Sequence, residues 1–121
     1  MNLETFYTHC LSHNGVTEHF PFDKDTLVFK VGDKIFALSS LARWEQAKPS
    51  VNLKCEPDKA LELRAAYDAI EPGFHMNKKH WNTVAINQDV HDQLIKELIT
   101  DSYELVYKSL PLALKKKIST P

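Results

Sequence analysis

Glycine is scarce in this sequence: 3 of 121 residues, beside 6 prolines and 2 cysteines. So little glycine excludes collagen-like repeats and Gly-rich linkers, and it counts against a glycine loop that cradles phosphates. Cys10 and Cys55 stand in unrelated segments among apolar neighbours, with no CxxC spacing. That pattern predicts buried free thiols and fits a reducing cytoplasm. No run approaches the roughly 18 apolar residues of a membrane helix. Met1-Asn2-Leu3-Glu4-Thr5 lacks the basic and apolar stretches of a secretory signal. An excess of charge is also missing, since 15 Lys+Arg against 16 Asp+Glu leave a net charge of −1. A generally basic nucleic-acid binder is excluded, and any such binding has to use a local patch.

What is present is ordinary globular composition, 43% hydrophobic and 26% charged. The length predicts one domain, residues 1–121, large enough to bury a core without staples. Leu3, Phe6, Tyr7, Cys10 and Leu11 fall on one helical face, with Asn2 to cap it, Glu4 in the first turn and Gly15 beyond its end. This predicts a helix over about residues 3 to 13. Segments 26–31 and 34–38 read as strands joined by Gly32-Asp33, a primed hairpin turn. Counting outward from that turn pairs Val31 with Lys34, Phe29 with Phe36 and Leu27 with Leu38. Leu27, Phe29, Phe36 and Leu38 then share the core face, and Val28, Lys30, Ile35 and Ala37 the other. A short strand over 16–20 precedes the hairpin.

Segment 39–50 has no clear period, although Trp44 can anchor it or part of it can form a short helix. Val51, Leu53 and Cys55 alternate with Asn52 and Lys54 as in a strand. Pro57 suits the first turn of a helix over about residues 57 to 68 that carries Ala60, Leu61, Ala65 and Ala66. Glu71-Pro72-Gly73 signals a turn, and 81–86 a final strand. Asp89 is placed to cap a long helix carrying Val90, Leu94, Ile95, Leu98, Ile99, Leu105 and Val106. Thr100-Asp101-Ser102 interrupts its apolar stripe and predicts a break or kink. Pro111 stops the helix, and 115–121 reads as a frayed polar tail. The element order predicts an α+β fold of two layers, with the N- and C-terminal helices on one face of an antiparallel sheet.

The densest chemistry lies in His75, Asn77, Lys78, Lys79, His80, Trp81 and Asn82, with no acid between Glu71 and Asp89. Lysines meet phosphates, asparagines reach phosphate or base edges, and a tryptophan offers a stacking face. The plainer reading is a solvated loop entering a strand, with Trp81 packed in the fold. If Val84 and Ile86 face the core, Trp81, Thr83 and Ala85 face outward. Lys54 and Lys30 fall on that same outer face, an arrangement similar to single-strand binding platforms. His9 and His13 share one side of a helix and His75 and His80 one loop, but neither pair has a third ligand, so no metal and no cofactor is expected. No nucleophile-elbow motif or acid–base pair stands out, so no enzymatic activity is expected.

The run Pro72-Gly73-Phe74-His75-Met76-Asn77-Lys78-Lys79-His80-Trp81-Asn82-Thr83-Val84 resembles the signature of the YjbR/MmcQ family of small bacterial proteins. Thr26-Leu27-Val28-Phe29-Lys30-Val31, Val51-Asn52-Leu53-Lys54-Cys55-Glu56-Pro57 and Ser102-Tyr103-Glu104-Leu105-Val106 agree with it in order, so the resemblance spans roughly residues 2–117. It implies a frataxin-like fold and DNA binding by a double-wing contact. Iron chemistry is not implied, because the acidic ridge of frataxins is represented in the first helix only by Glu4. The expected function is therefore cytoplasmic, non-enzymatic binding of nucleic acid, most simply DNA, by a monomer with no membrane partner. The alternative is a small-ligand or protein-binding module that uses the same sheet face and segment 39–50.

Overall fold

In the computed structural model, which describes residues 1–119, the chain runs α1 (Leu3–Leu11), β1 (Val16–His19), β2 (Thr26–Val31), β3 (Lys34–Ser40) and α2 (Leu41–Glu45). It continues through β4 (Ser50–Lys54), α3 (Pro57–Ala66), β5 (Ile70–Pro72), β6 (Trp81–Ala85), α4 (Asp92–Lys108) and α5 (Leu112–Ser119). The strands form a six-stranded antiparallel sheet in the order β1-β2-β3-β4-β6-β5. Helices α1 and α4 pack on one face, so the fold is α+β with terminal helices on a single side. Phe6 and Cys10 of α1 meet Ile95, Leu98, Ile99, Tyr103 and Val106 of α4 over Phe29, Val31, Phe36, Val51, Leu53 and Val84.

Local chemistry explains the helix starts. Asn2 accepts the Thr5 N–H at 2.8 Å at the head of α1, and Glu56 accepts those of Asp58 and Lys59 ahead of Pro57 in α3. α3 ends at Ala66, two residues short of the expected span, and leaves Leu61 exposed. At α4 the cap is His91, whose ring accepts the Leu94 N–H at 3.1 Å. Asp89 instead accepts the N–H groups of Asp68 and Ala69 and ties down the approach to β5.

The hairpin begins in the expected register, with Val31 opposite Lys34 and Lys30 opposite Ile35. A bulge then inserts Phe36 into β3, so Phe29 faces Ala37, Val28 faces Leu38 and Leu27 faces Ser39. This corrects the predicted faces: Ala37 enters the core and Leu38 turns to the opposite side. Phe29 and Phe36 are not direct cross-strand partners, yet both are fully buried with ring centroids 6.4 Å apart.

One further expectation is met and three are revised. Segment 39–50 resolves into the end of β3, the short α2 and the start of β4. Trp44 anchors it by donating to Ser39 Oγ at 2.9 Å and packing on Phe6 at 5.5 Å. Residues 70–72 are not merely a turn but an edge strand, where a proline is tolerated. α4 runs through Thr100-Asp101-Ser102 without a break, because Ser102 is buried with its hydroxyl fully bonded. The polar tail is helical from Leu112 to Ser119, and residues 120–121 of it lie outside the described residues. Leu114 and Ile118 press on Gly32 and Gly15, both at positive φ. A Cβ would come within 2.6 Å of Leu110 at Gly32 and 2.8 Å of Ile118 at Gly15, so both sites need glycine for conformation and for space.

Candidate functional site

The face of the sheet away from α1 and α4 carries the predicted site, and its register is continuous. His19, Val28, Leu38, Asn52, Thr83 and Glu71 oppose one another in turn across all six strands. Beside this row on β4 and β6, Lys54 opposes Trp81; on its other side Ser50 opposes Ala85. Trp81 and Lys54 thus share the outer face as expected. Lys30 is on the same face but on β2, three strand spacings from Trp81, about 14 Å, so the two do not adjoin.

The outer face is not the open platform the alternation predicts, because the chain after β5 folds back across it. The Phe74 N–H donates to Thr83 Oγ1 at 2.9 Å, and Asn52 Nδ2 donates to the Phe74 carbonyl at 3.3 Å. Thr83 Oγ1 donates in turn to Asn52 Oδ1 at 2.5 Å. Segment 73–76 therefore crosses above the Asn52–Thr83 pair. Gly73 lies so close to Trp81 that an added Cβ would stand 2.8 Å from the Trp81 Cβ. Trp81 is half-buried as a result.

Asn77 then organises a tight turn. Its side chain accepts the Lys79 N–H at 2.9 Å, and its carbonyl accepts those of His80 and Trp81. His75, Asn77, Lys78 and Lys79 are exposed and His80 is half-buried. Lys78 Nζ donates to the Gly73 carbonyl at 3.1 Å, which leaves Lys79 the freer of the two lysines. Asn82 points to the core side and is 2% exposed. Its amide oxygen accepts from Arg64 Nε at 2.7 Å, which takes it out of reach of a ligand. Arg64 Nη2 also donates to the carbonyls of Lys78 and Trp81. Sequence reasoning missed Arg64, since nothing near it in α3 signals that it holds a turn on another element.

Lysines gather at one end of the sheet despite the near-zero total charge. Lys30, Lys34 and Lys54 lie at the end of the sheet marked by the Gly32 turn, and Lys117 of α5 shares a cleft with Gly15 and Gly32. Asp33 and Glu56 are at this end too, with Glu56 occupied in capping α3. Asp101 pairs with Lys59 at 2.7 Å. At the opposite end Asp25 bonds Ser40 and Ala42, and Asp89 bonds Asp68 and Ala69.

Burial pushes the thiols of Cys10 and Cys55 up in pKa, so they stay protonated and weakly nucleophilic at neutral pH. Both are free. His9 and His13 contact each other edge to face and are engaged with Lys96, Thr100 and Cys10. Among the described residues no three His, Cys, Asp or Glu side chains gather to hold a metal ion, and no helix is long and apolar enough to cross a membrane.

Comparison with known proteins agrees with this architecture. The family model YjbR matches residues 11–105. Uncharacterized protein YbdF of Escherichia coli O157:H7 is 41% identical over 99 residues, which cover 82% of this chain and 79% of YbdF. Uncharacterized protein YjbR of Escherichia coli strain K12 is 29% identical over 111 residues, 92% of each chain. The crystal structure of a Deinococcus radiodurans protein with the DUF419 domain superposes with a TM-score of 0.89 at 36% identity, covering 99% of this chain and 89% of that one. A Pseudomonas syringae crystal structure gives 0.73 at 27% identity, covering 88% of this chain and 99% of that one.

Proposed function

The chain belongs to the YjbR family, and from that premise we propose that it binds nucleic acid, without turning it over, at the basic end of its sheet. The observation that carries the reading is the cross-strand pair Lys54–Trp81, a cation and an aromatic side by side next to the exposed turn that holds Lys79. Lysines at that end neutralise phosphates, which supply most of the sequence-independent affinity. The exposed part of Trp81 contributes a stacking surface for an unpaired base. The gathering of Lys30, Lys34 and Lys54 at one end answers the objection from the net charge of −1, because the field at a contact depends on the local patch. Asn82 is not part of this contact, since Arg64 already holds it. The free thiols of Cys10 and Cys55 fit a cytoplasmic setting.

The test is fluorescence anisotropy with labelled single- and double-stranded DNA over a series of salt concentrations. Lys54→Ala with Lys79→Ala is expected to lower affinity for unrelated sequences alike and to reduce the salt slope by up to about two units. Lys24→Ala with Lys48→Ala, at the opposite end, is expected to leave both unchanged. Binding that ignores salt, or a Lys54/Lys79 variant that binds like the parent, overturns the reading.

A further inference from the structure

On the far side of segment 73–76 from Trp81, the outer face is hollowed into a groove of about 700 Å³, a volume typical of small-molecule sites. The sequence of the floor explains the hollow. Thr26 opposes Ser40 on β2 and β3, and Ser50 opposes Ala85 on β4 and β6, so a row of small side chains replaces the bulk that would fill it. Phe22 and Phe74 line the groove from two different loops and are 66% and 68% exposed. Phe74 is held there by its backbone bonds to Thr83 and Asn52. His75 follows at φ 60° with its ring 4.1 Å from that of Phe74. A non-glycine residue in that region costs free energy that the surrounding contacts have to offset.

The lips of the groove are charged. Asp68 and Glu71 line the β5 side, and neither carboxylate has a hydrogen bond or ion pair among the described residues. Arg43 lines it from α2 and uses its Nε on the Lys48 carbonyl at 3.0 Å. Asp68 and Glu71 outnumber Arg43 on the lips, so the groove has a net negative charge that favours a cation, and the exposed aromatic rings add to that attraction. We propose that the groove is a separate site for a small molecule with a flat aromatic body and a protonated amine. The body lies on the Ser50–Ala85 floor against Phe22 and Phe74, and the ammonium points to Asp68 and Glu71. This site is independent of the nucleic-acid reading, since segment 73–76 stands between it and Trp81.

Calorimetric titration of the full chain with naphthylmethylamine tests this, with naphthoate as the anionic counterpart of the same ring. The amine is expected to bind at least about tenfold more tightly than naphthoate. Asp68→Asn with Glu71→Gln is expected to abolish that preference. Phe22→Ala with Phe74→Ala is expected to weaken the amine about tenfold while leaving the melting temperature unchanged, because both rings are already solvated. Lys54→Ala with Lys79→Ala is expected to bind the amine like the parent. The proposal is overturned by an amine that binds no better than naphthoate, by either groove variant retaining the parent's affinity and preference, or by loss of amine binding in the Lys54/Lys79 variant.

Discussion

Ser102, midway along α4, donates its hydroxyl to the Phe36 carbonyl at 2.6 Å and accepts the Lys54 N–H at 2.8 Å. The β3–β4 pairing stops at Ala37–Leu53, and Phe36 and Lys54 are the next residue on each strand. A helix side chain thus bridges the ladder where the bulge opens it, and satisfies two backbone groups that would otherwise be buried and unpaired. Ser102→Ala is expected to cost about 1–3 kcal/mol for each group left without a partner. Urea unfolding measures it, and a loss below about 0.5 kcal/mol, the level of a neutral surface change, would show that the bridge is dispensable.

Phe36 is the bulged residue and is fully buried between Phe29, His13 and Tyr103. Phe36→Ala is expected to destabilise the protein by about 3–5 kcal/mol through the cavity it leaves. The midpoint of chemical denaturation should fall with an unchanged m-value.

Arg64 holds the Asn77–Trp81 turn through Asn82 and two carbonyls. Arg64→Lys keeps the charge but loses the planar fork, and is expected to cost about 1.5–3 kcal/mol, as for hydrogen bonds to a charged group. Amide exchange should speed up over residues 78–82 and stay unchanged in α4. Uniform acceleration along the chain would contradict a local role.

Trp81 is half-buried against Gly73 and opposite Lys54. Trp81→Ala is expected to weaken single-strand DNA binding by about 1–3 kcal/mol and to lower stability by less than Phe36→Ala does. Melting curves and anisotropy on one protein preparation separate the two effects. A binding defect that vanishes below the onset of unfolding would remove Trp81 from the contact.

His9 lies with Nε2 3.0 Å from the Lys96 carbonyl, and its ring centroid is 5.1 Å from that of His13. Burial holds its pKa below the ordinary 6.5, against the carbonyl, which favours the protonated ring; the positive charges of His13 and Lys96 push the same way as burial. With the folded pKa depressed, the unfolded chain takes up the proton first as pH falls. Stability from this group is therefore present above pH 6.5 and is lost as pH drops from there through the lower folded value. The thermal midpoint of His9→Gln should change less than the parent's between about pH 7.5 and 5. Parallel profiles would exclude His9 as a source of acid lability.

Much of this protein was legible along the chain. The spacing of Leu3, Phe6, Tyr7 and Cys10, the Gly32-Asp33 turn and the stripe from Ile95 to Val106 are local patterns, and local patterns set helix faces, turn type and strand alternation. They placed α1, β2, β3 and α4, and they put Trp81 and Lys54 on one face. The bulge at Phe36 was not legible, because it is completed by the hydroxyl of Ser102, 66 residues away in sequence. A single inserted residue was enough to send Leu38 to the wrong face in any count that assumes strict alternation. The closing of the outer face over Trp81, the capture of Asn82 by Arg64 and the groove between Phe22 and Phe74 were likewise decided in tertiary structure. Each depends on which loop or helix lies against the sheet. Strand periodicity states only that a side chain points outward; whether water, another segment of the chain or a ligand meets it there is settled when the distant elements pack.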